Sequence, residues 1–238
     1  MSGSRGKKLG VMQPYFLPYI GYFQLIAAVD VFVVYDNIKY TKKGWINRNR
    51  MLRNGEPVTF SVPLKKDSDY LTVGERQLAA SFSREKLLAQ FRGAYSRAPN
   101  FDDVYALLES VINCNQENLA QYVYNSILAV CKYLDITTKI CLSSGVRIDH
   151  ELIGQEKVIA MCETLGASTY INLPGGSKIY DKTQFGRYNV ALKFLDPLLT
   201  EYEQFGGRFV PSLSIIDILM FRDMTDIRSA VDHGFNLV

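Results

Sequence analysis

Residues 9–36 read LGVMQPYFLPYIGYFQLIAAVDVFVVYD. Leu9–Met12 is a short apolar run, closed by a turn-rich stretch with Pro14, Pro18 and Gly21. From Tyr22 to Ala28 the spacing of apolar residues predicts a helix of about two turns. Asp30 then leads into Val31–Tyr35, an uninterrupted apolar strand of the kind buried on both faces of a parallel sheet. Two such strands joined by one helix predict a βαβ unit. Working outward, Arg53-Asn54-Gly55-Glu56 places an Asn-Gly pair between two strand-like segments, which is a hairpin signal.

From Ser83 to Leu134 the periodicity turns helical, with Leu119, Val123, Ile127, Val130, Cys131 and Leu134 at helix spacing. The α/β alternation then resumes. Strands are expected at Ile136–Leu142, Ala167–Leu173 and Val190–Leu195, and helices at Gly154–Leu165 and Ser212–Phe221. The expected fold is therefore α/β, a Rossmann-like, mostly parallel three-layer sheet with a helical insertion. Residues 1–238 read as one domain: a βαβ unit plus hairpin over 1–80, the insertion over 81–135, and a returning α/β portion over 136–238.

Composition narrows the function classes. The chain has 238 residues, 47% hydrophobic and 21% charged, with a formal net charge of +3. That charge is too small for a dedicated nucleic-acid binder. No apolar run approaches the ~18–20 residues of a membrane span. Met1–Lys8 is basic, but no apolar run follows before Gln13-Pro14, which speaks against a secretory signal; Ser2–Lys8 reads as a lead-in. Cys114, Cys131, Cys141 and Cys162 show no metal-ligand spacing, and His150 and His233 are the two histidines. No metal and no cofactor is expected, and a reduced, cytoplasmic protein is. Cys131 and Cys162 fall on apolar helix faces and read as core. Both histidines read as surface residues.

The residues that could carry chemistry cluster early. Asp36, at the end of the second apolar strand, is the leading carboxylate: a general base or amine-binding group in one reading, an Asx turn or cap in the other. Between Lys39 and Arg53 there are six basic residues and no acidic one, with Tyr40 and the single Trp45 among them. Period-two alternation puts Arg48 and Arg50 on one strand face and Asn47 and Asn49 on the other. Such a hairpin is suited to clamp a phosphorylated ligand, or else is a solvated face. Leu173–Lys178 (LPGGSK) is glycine-rich but lacks the register of a P-loop, and Tyr180 follows it. Ser214 and Asp217, spaced i, i+3, share a helix face and also read as a capped helix start. No Gly-x-Ser-x-Gly elbow is present, which disfavours a serine hydrolase.

The run Met12–Phe23 (MQPYFLPYIGYF), its continuation Asp30–Asp36, then Lys39-Tyr40 and Gly44–Asn49 (GWINRN), resemble the hallmark of the WbqC-like family. Further matches are Val62-Pro63, Ala94-Tyr95, Ala98–Phe101, Tyr170, Tyr180, Tyr202–Gln204, Phe209–Pro211 and Leu213–Asp217. Arg222-Asp223-Met224 stands where that family commonly has Cys-Gly, and a His ahead of the Tyr-x-Gln element is missing. The resemblance implies a role in bacterial O-antigen or related surface-polysaccharide synthesis, and transfer of an acyl or aminoacyl (glycyl-type) group to an amino-sugar. In that reading Asp36 accepts a proton, while Tyr22, Tyr15 and Gln13 orient and stabilise the donor carbonyl. Tyr19, Gly21, Tyr40, Lys43, Trp45, Asn47, Arg48, Asn49 and Tyr180 hold a nucleotide-linked sugar or other phosphorylated molecule. The partner would be an activated acyl donor, aminoacyl-tRNA or acyl-CoA; a homo-oligomer is compatible. Two alternatives stay open. Tyr19-Ile20-Gly21-Tyr22 echoes the His-x-Gly-His loop of nucleotidylyltransferases, and a non-catalytic scaffold of a biosynthetic complex needs no such chemistry.

Overall fold

A computed structural model describes residues 6–238. The expected lead-in over Ser2–Lys8 lies partly outside the described residues, and its last two, Lys7 and Lys8, open the first strand. The N-terminal elements are β1 (Lys7–Met12), α1 (Ile20–Ala27), β2 (Val31–Val34), β3 (Arg48–Arg53) and β4 (Glu56–Ser61). Three helices follow: α2 (Arg84–Tyr95), α3 (Phe101–Ile112) and α4 (Leu119–Tyr133). The remainder is β5 (Lys139–Leu142), α5 (Gly154–Leu165), β6 (Ala167–Asn172), α6 (Lys182–Arg187), β7 (Ala191–Pro197), α7 (Ile215–Phe221), α8 (Met224–His233) and β8 (Phe235–Leu237).

The main sheet has six strands in the order β5-β2-β1-β6-β7-β8. Every pairing is parallel except that of β8 on β7. Alternation along the strands divides the core. Val31 and Val33 of β2 join the cluster with Leu9, Val158, Met161 and Phe185, so α5 and α6 cover that face. Phe32 and Val34 join the cluster with Tyr22, Ile26, Ile127, Leu219 and Val231, which places α1, α4, α7 and α8 on the other. This two-sided burial is why the strands read as continuous apolar runs. The chain is α/β with a mostly parallel sheet, as expected. Among the described residues, no helix is long and apolar enough to cross a membrane.

The hairpin β3–β4 stands apart as its own two-stranded sheet, turning at Asn54 (φ 54°) and Gly55 (φ 79°). Two consecutive positive φ values match the twist of the flanking strands, and Asn-Gly supplies them at little cost. Phe60 of the hairpin packs on Phe91 of α2, with ring centroids 4.8 Å apart.

Three elements were not anticipated. The helix α6 starts at Asp181, whose carboxylate accepts from the Thr183 amide at 2.8 Å. The α8 helix buries Ile227 and Val231 on one side, and β8 pairs with the outer edge of β7. His233 ends α8 rather than lying in a loop. Strand β5 begins at Lys139 rather than Ile136, and α7 at Ile215 rather than Ser212.

Candidate functional site

Strand β1 leads leftward to β2, whereas its neighbour β6 leads rightward to β7. A parallel sheet opens a crevice beyond its carboxyl edge where successive connections diverge in this way. Two clefts lie there. The broad one, about 650 Å³, is lined by Gln13, Tyr15, Tyr35, His150, Lys157 and Tyr180, and by the Gly175-Gly176 turn. The narrow one, about 370 Å³, is lined by Tyr15, Tyr19, Trp45, Asn49, Arg50 and Asp196. Tyr15 is the one residue that lines both.

The wall between them is the turn after β1. Its Leu17 adopts φ 46°, a left-handed conformation that costs a non-glycine residue energy. Hydrogen bonds from distant elements hold it. Asn49 Nδ2 donates to the Phe16 and Leu17 carbonyls at 3.2 and 2.8 Å, and Ser214 Oγ donates to Leu17 O at 2.8 Å. The Ile215 amide donates to Pro18 O at 2.8 Å. Within the turn, Tyr15 Oη donates to Gln13 Oε1 at 3.3 Å. Burial pushes the Tyr15 phenol up, and Tyr19 is pushed up to about 12, chiefly by burial, with the neighbouring Tyr15 and Asp196 adding to it. Both hydroxyls are therefore donors near neutral pH, not bases.

The guanidinium groups of Arg48 and Arg50 each stand 5.6 Å from the Trp45 ring. The two arginines share one face of β3, as the alternation requires. Arg50 donates to Ser212 O at 3.2 Å and keeps a buried Nε with no partner among the described residues.

The sequence pattern of one family, the WbqC-like protein family, matches residues 13–229. The chain belongs to the WbqC-like protein family. An uncharacterized protein of Mycobacterium tuberculosis, Rv1507c, is 28% identical over 218 residues, covering 90% of this chain and 93% of that one. No solved structure matches the chain.

Several residues singled out in this WbqC-like sequence face inward. Asp36 is buried, and its carboxylate accepts from Ser143 Oγ (2.8 Å), the Ser144 amide (2.9 Å) and Ser144 Oγ (2.6 Å). Its carbonyl accepts from the Gly74 amide at 2.9 Å. The expectation of a base facing substrate gives way here: Asp36 ties the ends of β2 and β5 together and lines neither cleft. Tyr22 is likewise sealed, donating to the Gln13 carbonyl at 2.9 Å, with its phenol pushed well above the usual value by burial. It cannot reach an oxyanion. Gly21 is covered by the Tyr19 ring, which a Cβ would meet at 2.5 Å, so its small size serves packing. Tyr40 donates to Asn47 Oδ1 at 2.8 Å beneath the Arg76 guanidinium, and Asn47 donates to Val62 O at 2.7 Å. Arg48 donates from Nε to the Gly44 carbonyl and from Nη2 to the Lys43 carbonyl (3.0 and 2.6 Å). Neither Arg48 nor Lys43 lines a cleft.

Gln13, Tyr15 and Tyr180 do meet in the broad cleft, and Tyr19, Trp45 and Asn49 in the narrow one. Asn49 also serves as a clamp for the turn. Cys131 and Cys162 are buried in the core, where burial pushes each thiol up to about 12. Ser214 caps α7, accepting from the Ile216 amide at 3.4 Å. Asp217 is fully buried and accepts from Tyr95, Tyr202 and Gln204 at 2.7, 2.7 and 2.5 Å.

Sequence reasoning missed Asp196, His150 and Lys157. Asp196 is exposed at the carboxyl end of β7. His150, read as a surface residue, is exposed and stands at the rim of the broad cleft, its Nδ1 2.8 Å from Asn37 Nδ2. Lys157, in the first turn of α5, carried a usable signal: it sits on the helix stripe with Val158 and Met161, where a lysine would ordinarily be solvated.

Proposed function

We propose that this WbqC-like protein is a transferase that moves an acyl or aminoacyl group onto the amine of a nucleotide-linked sugar during surface-polysaccharide synthesis. What supports the reading is two clefts of ligand size at the carboxyl edge of the sheet, separated by one phenol, the arrangement a two-substrate reaction needs. We read the fold as Rossmann-like with α2–α4 as a helical insertion. The sugar nucleotide occupies the narrow cleft, its diphosphate on Arg50 and its flat base on Trp45. Asp196 takes the role first expected of Asp36. As the amine nitrogen forms its bond to the donor carbonyl carbon, the bond to the donor's leaving group breaks, and the amine proton passes to Asp196. Tyr15 gives up its long bond to Gln13 and turns its single proton to the developing oxyanion.

Thermal denaturation with a panel of nucleotide-linked amino-sugars tests this. At least one should raise Tm, and Arg50→Ala should abolish the rise. A wild-type protein indifferent to the whole panel would retire the reading. Tyr22 is turned away from both clefts and commits its hydroxyl proton to the Gln13 carbonyl, which weighs against the nucleotidyl-transfer alternative.

A further inference from the structure

Lys157 is 4% exposed, yet its ammonium has one hydrogen-bond partner, the His150 carbonyl at 2.7 Å. An ammonium carries three donors. Among the described residues no carboxylate lies within salt-bridge distance of it. Glu151, Asp149 and Asp36 face it from farther away, and burial still outweighs their field and lowers its pKa. Its other neighbour is the Tyr35 ring, 5.5 Å from Nζ. Buried cations are ordinarily paired, because desolvation costs several kcal/mol. This one instead opens onto the broad cleft.

The surroundings suit an anion with an apolar body. Helix α5 begins at Gly154 with no side-chain cap from Ile153, so its first-turn amides stay available beside Lys157. Lys39 also lines the cleft, and Glu151 is the single acidic residue that does. Ile153 and Ile179, 79% and 66% exposed, line the same cleft. Exposed isoleucines there gain free energy when an organic group covers them.

We propose that the broad cleft seats a small phosphate ester, with the phosphate on Lys157 and the first-turn amides of α5 and the organic part against Ile153 and Ile179. This site is separate from the Trp45–Arg50 cleft. Its assignment to the acyl donor rests on the transfer reading above; the anion site itself does not.

Calorimetric titration of the full chain with inorganic phosphate and with phenyl phosphate decides it. Phenyl phosphate should bind about tenfold more tightly than phosphate, the factor that roughly 1.4 kcal/mol of apolar burial supplies. Lys157→Gln should weaken both by at least about tenfold. The double substitution I153S/I179S should remove the advantage of phenyl phosphate alone. In the unsubstituted protein the Lys157 Nζ pKa, followed by NMR, should rise on adding phenyl phosphate, a readout independent of how the variants fold. Affinity in Lys157→Gln within about twofold of the parent, or a Lys157 pKa that does not move, overturns the proposal. Phosphate binding without nucleotide-sugar binding would leave this site standing and remove the transferase reading; the reverse outcome would do the opposite.

Discussion

The segment from Gln13 to Asn49 and the segment from His150 to Tyr180 meet at the same sheet edge and do different work. In the first, Tyr22, Tyr40, Asn47, Asn49 and Asp36 turn their polar atoms inward and spend them on backbone carbonyls, amides and neighbouring side chains. In the second, His150, Lys157 and Tyr180 line a cleft, and Lys157 holds hydrogen-bonding capacity in reserve. A stretch rich in Tyr, Asn, Pro and Gly looks like a reactive site. Here much of that chemistry shapes a turn, because a buried polar group must be satisfied. The plainer segment keeps a charge that its own fold does not neutralise.

That contrast can be broken by substitution. Asn49→Ala removes three hydrogen bonds, to Phe16 O, Leu17 O and from the Arg50 amide, and should cost about 3 kcal/mol in urea denaturation. A loss comparable to that of a surface residue would mean the turn supports itself. Asp36→Asn replaces one of two accepting oxygens by a donor facing the Ser144 hydroxyl, and should cost about 2 kcal/mol. If Asp36 were a base instead, stability would hold and turnover alone would fall. Tyr22→Phe deletes a single buried bond and should cost about 1 kcal/mol.

The second segment should behave otherwise. The folded-state pKa of Lys157 is lowered, so its charged form is penalised in the native protein. Stability therefore rises as pH climbs through that lowered value toward 10.5, the ordinary pKa. Lys157→Gln should lack this component, seen as a difference between the Tm-versus-pH curves of the two proteins; parallel curves would show the ammonium is adequately solvated. Smallest of all, Tyr15→Phe should shift stability by less than about 0.5 kcal/mol, since its one bond is long and beside solvent, while cutting transfer of the acyl group.

The strands other than β8, α1, the hairpin and α5 were legible because their residues obey a local period: Val31–Val34 is apolar throughout, Asn54-Gly55 dictates its turn, and Val158, Met161 and Cys162 mark a stripe. The α6 and α8 helices escaped notice for want of length and apolar content, although Asp181 and Asp223 stand at their starts. The site was legible only in part. Trp45 was found from the density of aromatic and basic residues and Tyr15 from the family resemblance, but direction was not legible, so the clamp was expected at Arg48 and Lys43 and not at Arg50. Whether Asp36 faces solvent or Ser143 depends on β5 lying beside β2, a pairing of residues more than a hundred positions apart. Lys157 was overlooked for the same reason: its isolation from carboxylates is a property of the assembled cleft.

The left-handed turn at Leu17 is fastened by Asn49 and Ser214, 32 and 197 positions farther along the chain. Its shape is thus not a local property of the segment that contains it. The partition between the two clefts is complete only when α7 is docked against the hairpin. Loosening near Ser214 would blur that partition without disturbing any residue of β1.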